Sequence, residues 1–354
     1  MKKLKYFDGC ESEYMITLGL WNKTSRRYTS EYWSINKAWN KLRDDKKLFF
    51  LPKMISKILI AKYTKLVVYF KYFDNFIEKN VPRNSYQSKR SYAKARKIFL
   101  APFTNIFNYS VSSKNRLSEY KDISCYDTKI AVFFKKYAEK LDITSCFYCE
   151  SAYTGVYSDK GKIKRTFDID HFFQKEQYPI FALSLYNFVP CCQVCNSRVK
   201  GSGNFKNLYN LGSRITNKDI YFLLRISPTS PYYQFYENTK IGIYPALSES
   251  NKIWQYNDDL DMYKIQFDCD KNGPYQKVID AFQLDGRYNS ISIKAHAKYL
   301  ENLKKKYTDE YILEIATFLT KAGWMTTEKQ IKEVIFHLDE RYILLKKMYK
   351  DLLM

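Results

Sequence analysis

The sequence predicts an α+β fold, mostly helical, in which a short strand-and-turn core lies between two helical regions. Three observations predict it. Apolar residues recur at the helical period through the first 145 residues and again from about 275. Between these regions the pattern changes to short runs of alternating polarity bounded by turn residues. At the head of that middle part stand two C-x-x-C pairs, Cys146/Cys149 and Cys192/Cys195. The chain therefore reads as four parts: a basic helical region over 1–145, a compact core over 146–210, a β-containing segment over 211–274 and a helical region over 275–354.

In the first part, Ile55, Leu59, Tyr63, Leu66, Phe70, Phe73 and Ile77 form one apolar stripe between Pro52 and Pro82, which predicts a helix. Residues 32–45, 86–101 and 127–141 predict three more, and 102–126, rich in Ser and Asn, reads as a long connection. In the core, residues 164–171 and 187–191 read as strands, and a helix should start near Gln193 and run past Lys200. Residues 221–268 look β-like: 241–244 is one strand, and Tyr263, Ile265 and Phe267 alternate with Lys264, Gln266 and Asp268 in another. Helices return from about 275. The last opens on a capping box of Thr327 and Gln330, after which Ile331, Val334, Ile335, Leu338, Tyr342 and Leu345 follow at helical spacing.

Composition narrows the function. The chain has 354 residues and a net charge of +22, unevenly spread. Residues 1–145 hold 30 Lys/Arg against 13 Asp/Glu, or +17, which leaves +5 for the other 209. No acid occurs between Glu78 and Glu119, where Arg83, Lys89, Arg90, Lys94, Arg96, Lys97, Lys114 and Arg116 stand. Such asymmetry points to a polyanionic partner. No stretch approaches the roughly 18 uncharged apolar residues of a membrane span. The N-terminus also lacks an apolar signal core, so the chain is expected to be cytoplasmic and to have no membrane partner. Eight cysteines in a long chain of this kind argue for metal ligation rather than a disulfide framework. Cys10, Cys125, Cys191 and Cys269, outside the pairs, read as plain buried thiols.

Two C-x-x-C turns supply the four thiolates that a tetrahedral structural Zn²⁺ prefers. The 42 residues between the pairs leave room for a hairpin bearing other chemistry. Cys191 offers itself beside Cys192, but the two-residue gap to Cys195 favours Cys192. Between the pairs run Asp168-Ile169-Asp170-His171, with Asn187 ahead of the second pair and Asn196 directly after it. Phosphodiester hydrolysis needs a water made nucleophilic and a cation for the charge on phosphate. His171 suits the first task as a general base near neutral pH. Asp170 and Asn196 offer hard oxygens suited to Mg²⁺ or Mn²⁺. His296 and His337 lie in helical sequence and read as structural.

The stretches Cys146-Phe147-Tyr148-Cys149, Asp170-His171-Phe172, Asn187 to Cys192, and Cys195 to Lys200 resemble zinc-containing HNH endonucleases. The resemblance covers about 60 of the 354 residues. It implies that the core over 146–210 is a ββα-metal finger, with strands ending in Asp170-His171 and starting at Asn187, and a helix that brings Asn196. By that resemblance His171 is the general base, Asp170 and Asn196 ligate the catalytic metal, and Asn187 braces the loop behind His171. Asn at the third position makes it an HNN variant, as in the HNH domains of RNA-guided nucleases. It departs from many relatives at Gln174, where they carry Pro. The whole chain is also similar to HNH effector subunits of bacterial anti-phage systems, of the Septu-like or retron-associated kind, which work with a partner ATPase.

The sequence is therefore expected to encode a metal-dependent endonuclease of antiviral defence acting on DNA, with RNA the alternative substrate. Arg90, Lys94 and Lys97 would grip the phosphate backbone, and Arg198 and Lys200 would add contacts beside the site. Two other readings stand beside it. One is a non-catalytic, zinc-stabilised nucleic-acid-binding module. The other is a nuclease subunit silent until a partner ATPase or sensor activates it.

Overall fold

A computed structural model describes residues 7, 9–111, 117–138, 140–141, 143–200, 240–245, 263–268, 276, 279–280, 282–322 and 327–335. The fold is α+β: helices predominate, and every sheet among the described residues is an antiparallel pair of strands. The chain falls into two units, each discontinuous in sequence. The first holds the residues up to Ile143 together with Gly155–Cys191; the second holds Thr144–Thr154 and, among the described residues, 192–200 and those from 240 onward.

The first unit opens with α1 (Glu11–Thr17) and the short strands β1 (Trp21–Asn22) and β2 (Arg27–Tyr28). Helix α2 (Ser30–Asp45) follows, where Thr29 caps the first turn by accepting from the Tyr32 amide. The expected single helix between Pro52 and Pro82 is two, α3 (Ser56–Leu59) and α4 (Tyr63–Asn80). At the break Lys62 is extended, and the Ile58 carbonyl accepts both from the Ala61 amide at 3.3 Å and from the Ser184 hydroxyl at 3.0 Å. The stripe survives the break, because Ile55, Leu59, Leu66, Phe70, Phe73 and Ile77 are all buried.

Helix α5 (Lys89–Ile106) starts on a Ser88–Ser91 capping box and runs through Pro102. That corrects the expectation of a loop from residue 102. A proline inside a helix removes one ladder hydrogen bond, but Phe103 and Ile106 beyond it are fully buried, and their burial outweighs that loss. Helix α6 (Asp127–Tyr137) buries Ile130, Phe133 and Phe134.

The stretch 164–171, expected as one strand, belongs to two pairs. Strands β3 (Val156–Asp159) and β4 (Lys162–Arg165) form a hairpin, whose tight turn puts Lys160 and Gly161 at positive φ. After a bend, β5 (Asp168–His171) pairs with β6 (Phe188–Cys191), with Asp170 opposite Val189 and His171 opposite Phe188. The β5–β6 pair packs into an aromatic core in which Phe188 meets Tyr14, Phe134 and Tyr109.

In the second unit, a helical turn wound more widely than an α-helix covers Val194–Lys200. Strands β7 (Lys240–Pro245) and β8 (Tyr263–Asp268) pair with Ile243 opposite Ile265. The two strands expected within 221–268 are thus present; the rest of that segment lies outside the described residues. Helices α7 (Leu284–Tyr288), α8 (Ile291–Lys306), α9 (Asp309–Lys321) and α10 (Glu328–Ile335) complete it. The expected capping box opens α10: the Thr327 amide donates to Gln330 Oε1 at 2.9 Å, and the Gln330 amide to Thr327 Oγ1 at 3.3 Å. Leu338, His337, Tyr342, Leu345, Cys269, Lys114 and Arg116 lie outside the described residues. No helix among the described residues is long and apolar enough to cross a membrane.

Candidate functional site

The second unit carries a sulfur cluster. Cys146, Cys149, Cys192 and Cys195 are all buried, and their sulfurs lie within 4.8 Å of one another. Four sulfurs about 2.3 Å from one zinc ion stand about 3.8 Å apart in a tetrahedron; the Cys149–Cys192 separation is 3.9 Å. The donor set and spacing fit a structural zinc. Cys191 is the last residue of β6, opposite Asp168, and stands outside the cluster, so Cys192 is the one placed to serve as a ligand. Of the other cysteines, Cys10 is buried as expected. Cys125 is only half-buried, because its thiol donates to the Tyr109 carbonyl at 3.2 Å near the surface.

Three of the four sulfurs meet donors from outside the ligand thiols or from the backbone. The Cys195 amide points at Cys192 Sγ (3.4 Å), and the Ser151 hydroxyl at Cys149 Sγ (3.2 Å). Hydrogen bonds from Cys146, then from Cys192 and Cys195, lower the Cys149 thiol pKa, against its burial. Burial keeps Cys146 well above the usual thiol range. A cation that the sequence did not single out completes the cluster: Arg287 Nη1 donates to Cys195 Sγ at 3.0 Å. Burial works to lower the Arg287 pKa, but the charges of Cys149 and Cys195 outweigh it and raise it.

The first unit carries Asp170, His171 and Asn187. Asp170 and His171 end β5, and successive residues of a strand point to opposite faces. His171 is 6 % exposed, with its ring edge-on to Tyr109 at 4.7 Å and against Phe188 at 5.1 Å. Its Nε2 lies 3.0 Å from the Ala182 carbonyl oxygen. A carbonyl only accepts, so Nε2 carries the proton, and in the neutral ring Nδ1 bears the lone pair.

Asn187 is fully buried and ties the loop between the strands. Its Oδ1 accepts from the Phe173 amide at 2.7 Å, and its Nδ2 donates to the carbonyls of Phe173 (3.0 Å) and Phe181 (2.9 Å). The same loop is held from outside. Phe70 of α4 stacks on Phe173 at 4.4 Å, the Tyr178 hydroxyl donates to Asp74 at 2.7 Å, and Arg96 of α5 donates to the Gln177 carbonyl at 3.2 Å.

Spacing alone did not reveal Tyr109, which packs on His171, or the two cations beside Tyr109. Lys175 Nζ sits 4.2 Å over the Tyr109 ring. Burial raises the Tyr109 hydroxyl pKa, and the nearby Arg165 charge opposes that rise. Nη1 of Arg165 is buried with no hydrogen-bond partner among the described residues. The only local signal for them is the pairing of basic with aromatic residues, which is common along this chain.

Arg90, Lys94 and Lys97 are exposed on α5 at i, i+4 and i+7, one face of the helix. Arg96, in the same basic run, points inward and is 13 % exposed. Arg198 is exposed, while the side chain of Lys200 is outside the described residues. Asn196 belongs to the second unit, where its amide donates to the Cys192 carbonyl at 3.0 Å. His296 is in α8, half-buried beside Tyr299, and burial lowers its pKa. The chain matches no protein-family model, no curated protein and no solved structure.

Proposed function

We propose that the protein is a metal-dependent endonuclease of the HNH type that hydrolyses phosphodiester bonds in DNA. The observation that carries this reading is the tautomer of His171. The Ala182 carbonyl engages Nε2–H, so the neutral ring presents Nδ1 as a proton acceptor, the form a general base needs. Asn187 fixes the loop that brings that carbonyl to His171, the brace the resemblance assigns to it. Asp170, 8 % exposed at the end of β5, would offer a carboxylate oxygen to a Mg²⁺ or Mn²⁺ ion. Such an ion, when bound, would stabilise charge on the phosphate and the leaving oxygen. The part the resemblance gives Asn196 as a second oxygen donor is a matter for mutation. The exposed row Arg90, Lys94 and Lys97 supports a salt-sensitive grip on the backbone, with Arg198 a further contact.

The burial of His171 favours a second reading within the first: the nuclease of an antiviral defence complex, held silent until an ATPase or sensor subunit engages it. One assay separates these readings from a non-catalytic zinc-stabilised binding module. The purified chain is incubated with plasmid in Mg²⁺ or Mn²⁺, with and without EDTA. Metal-dependent cutting supports the first reading, and cutting only after a partner is added supports the second. Binding without cutting under every condition would leave the module.

A further inference from the structure

The sulfur cluster has a partner 92 residues away in sequence. We infer that Arg287-Tyr288-Asn289 is a clasp that couples metal retention by the four cysteines to the docking of β8 and α7.

Three adjacent residues make the clasp, each on a different target. Arg287 Nη1 donates to Cys195 Sγ at 3.0 Å. The Tyr288 hydroxyl donates to the Cys149 carbonyl at 2.9 Å. Asn289 reads both backbone groups of Ile265 in β8: its Oδ1 accepts from the Ile265 amide at 2.9 Å, and its Nδ2 donates to the Ile265 carbonyl at 2.8 Å. Two ring contacts run alongside, Phe282 stacked on Tyr148 at 4.3 Å and Phe267 edge-on to Tyr288 at 5.0 Å. The chain enters α7 through Gln283 at φ +52°, a conformation uncommon for a residue with a Cβ.

The physical reason for the arginine is charge. Four thiolates around a divalent ion carry two net negative charges in a buried place, and burying charge without a counter-charge is costly. A guanidinium donating directly to one sulfur offsets half of that excess. Such hydrogen bonds to ligand sulfur tune how tightly a metal is held. Coupling of this kind is reciprocal: what the clasp adds to metal retention, the metal adds to the docking of α7 and β8.

The test uses the full chain and does not depend on nuclease activity, so its outcome is separate from that of the proposed function. Zinc transfer to a colorimetric chelator is timed for wild type, Arg287→Ala, Arg287→Lys and Tyr288→Phe. Hydrogen exchange of residues 263–268 and 284–289 is followed before and after transfer. Arg287→Ala should release zinc about 10- to 100-fold faster. Arg287→Lys should fall between, since lysine keeps the charge but loses the planar fork. Tyr288→Phe should show a smaller acceleration. Transfer should strip protection from 263–268 and 284–289. Wild-type release from Arg287→Ala would overturn the inference, as would wild-type release from both conservative variants should the alanine variant be insoluble. Undiminished protection of both segments after zinc has left would overturn the coupling.

Discussion

The sulfur cluster of the second unit and the Asp170–His171 strand end of the first are both buried, but different forces hold them. Four like side chains converge in the cluster, and mutual repulsion of thiolates would drive them apart without a cation. Neutral hydrogen bonds hold the strand end: Asn187 to three backbone groups and Ala182 to His171. Each should therefore fail in its own way. The cluster fails by losing its metal and with it the local fold. The strand end fails gradually, by losing geometry while the aromatic core around Phe188 persists.

The largest expected effect lies in the cluster. About one zinc per chain should be found by elemental analysis, and Cys149→Ser should cost most of the roughly 10 kcal/mol or more that a structural zinc contributes. The variant should misfold in the second unit, and a zinc-free, well-folded wild type would contradict the comparison. Next comes Asn187→Ala, which strands three buried backbone groups and should cost about 3 kcal/mol or more in thermal or denaturant unfolding. Zinc content should stay at the wild-type level. If zinc is lost as well, the two regions do not fail separately.

How far each region was legible in the sequence follows from the same contrast. The cluster could be read because its ligands come in two local pairs of one chemical type, and spacing alone chose Cys192 over Cys191. The β5 and β6 strands could be read from local polarity and from the resemblance. The Ala182 carbonyl and Tyr109 beside His171, and Arg165 and Lys175 beside Tyr109, could not, since their meeting depends on how helices and loop pack. Arg287 was invisible for the same reason: nothing local distinguishes it from other surface arginines. The helix boundaries also depend on tertiary packing. The Ser- and Asn-rich run from 102 read as a connection, but the burial of Phe103 and Ile106 carries α5 on through Pro102, and at the break before α4 the Ile58 carbonyl also meets the Ser184 hydroxyl, 126 residues away.

Smaller effects separate the exposed and buried cations of α5. Reversing Arg90, Lys94 and Lys97 to Glu should weaken nucleic-acid binding and lower the salt slope by about one unit for each lost phosphate contact. Arg96→Ala should leave that slope unchanged and instead lower stability by about 2 kcal/mol, because its bonds to Tyr92 and the Gln177 carbonyl are internal. Equal effects on the salt slope would show that inward and outward cations were wrongly distinguished.

The smallest effect concerns pH. Burial raises the Asp74 carboxyl above its usual range, against the Tyr178 hydrogen bond and the Arg96 charge. Just above the ordinary carboxylate pKa of about 4, the folded chain therefore holds a proton that the unfolded chain has released. Stability falls as pH rises through that window. Asp74→Asn still offers Tyr178 an oxygen but no longer titrates, so the fall should flatten in denaturant unfolding across that window. An unchanged slope would remove Asp74 from the account.

In the proposed mechanism His171 takes the proton from the attacking water. The most direct measurement is the rate of plasmid cleavage by His171→Ala in saturating Mn²⁺, under conditions where wild type cuts and EDTA stops it, with any activating partner present. A loss of about 10²- to 10⁴-fold is expected, with zinc content, melting temperature and DNA affinity close to wild type and no rescue by added metal. Asp170→Ala and Asn196→Ala should instead be partly rescued by excess Mn²⁺, because a weakened metal site can be refilled and a missing base cannot. Wild-type turnover by His171→Ala on a substrate that the EDTA-treated enzyme cannot cut would contradict the claim.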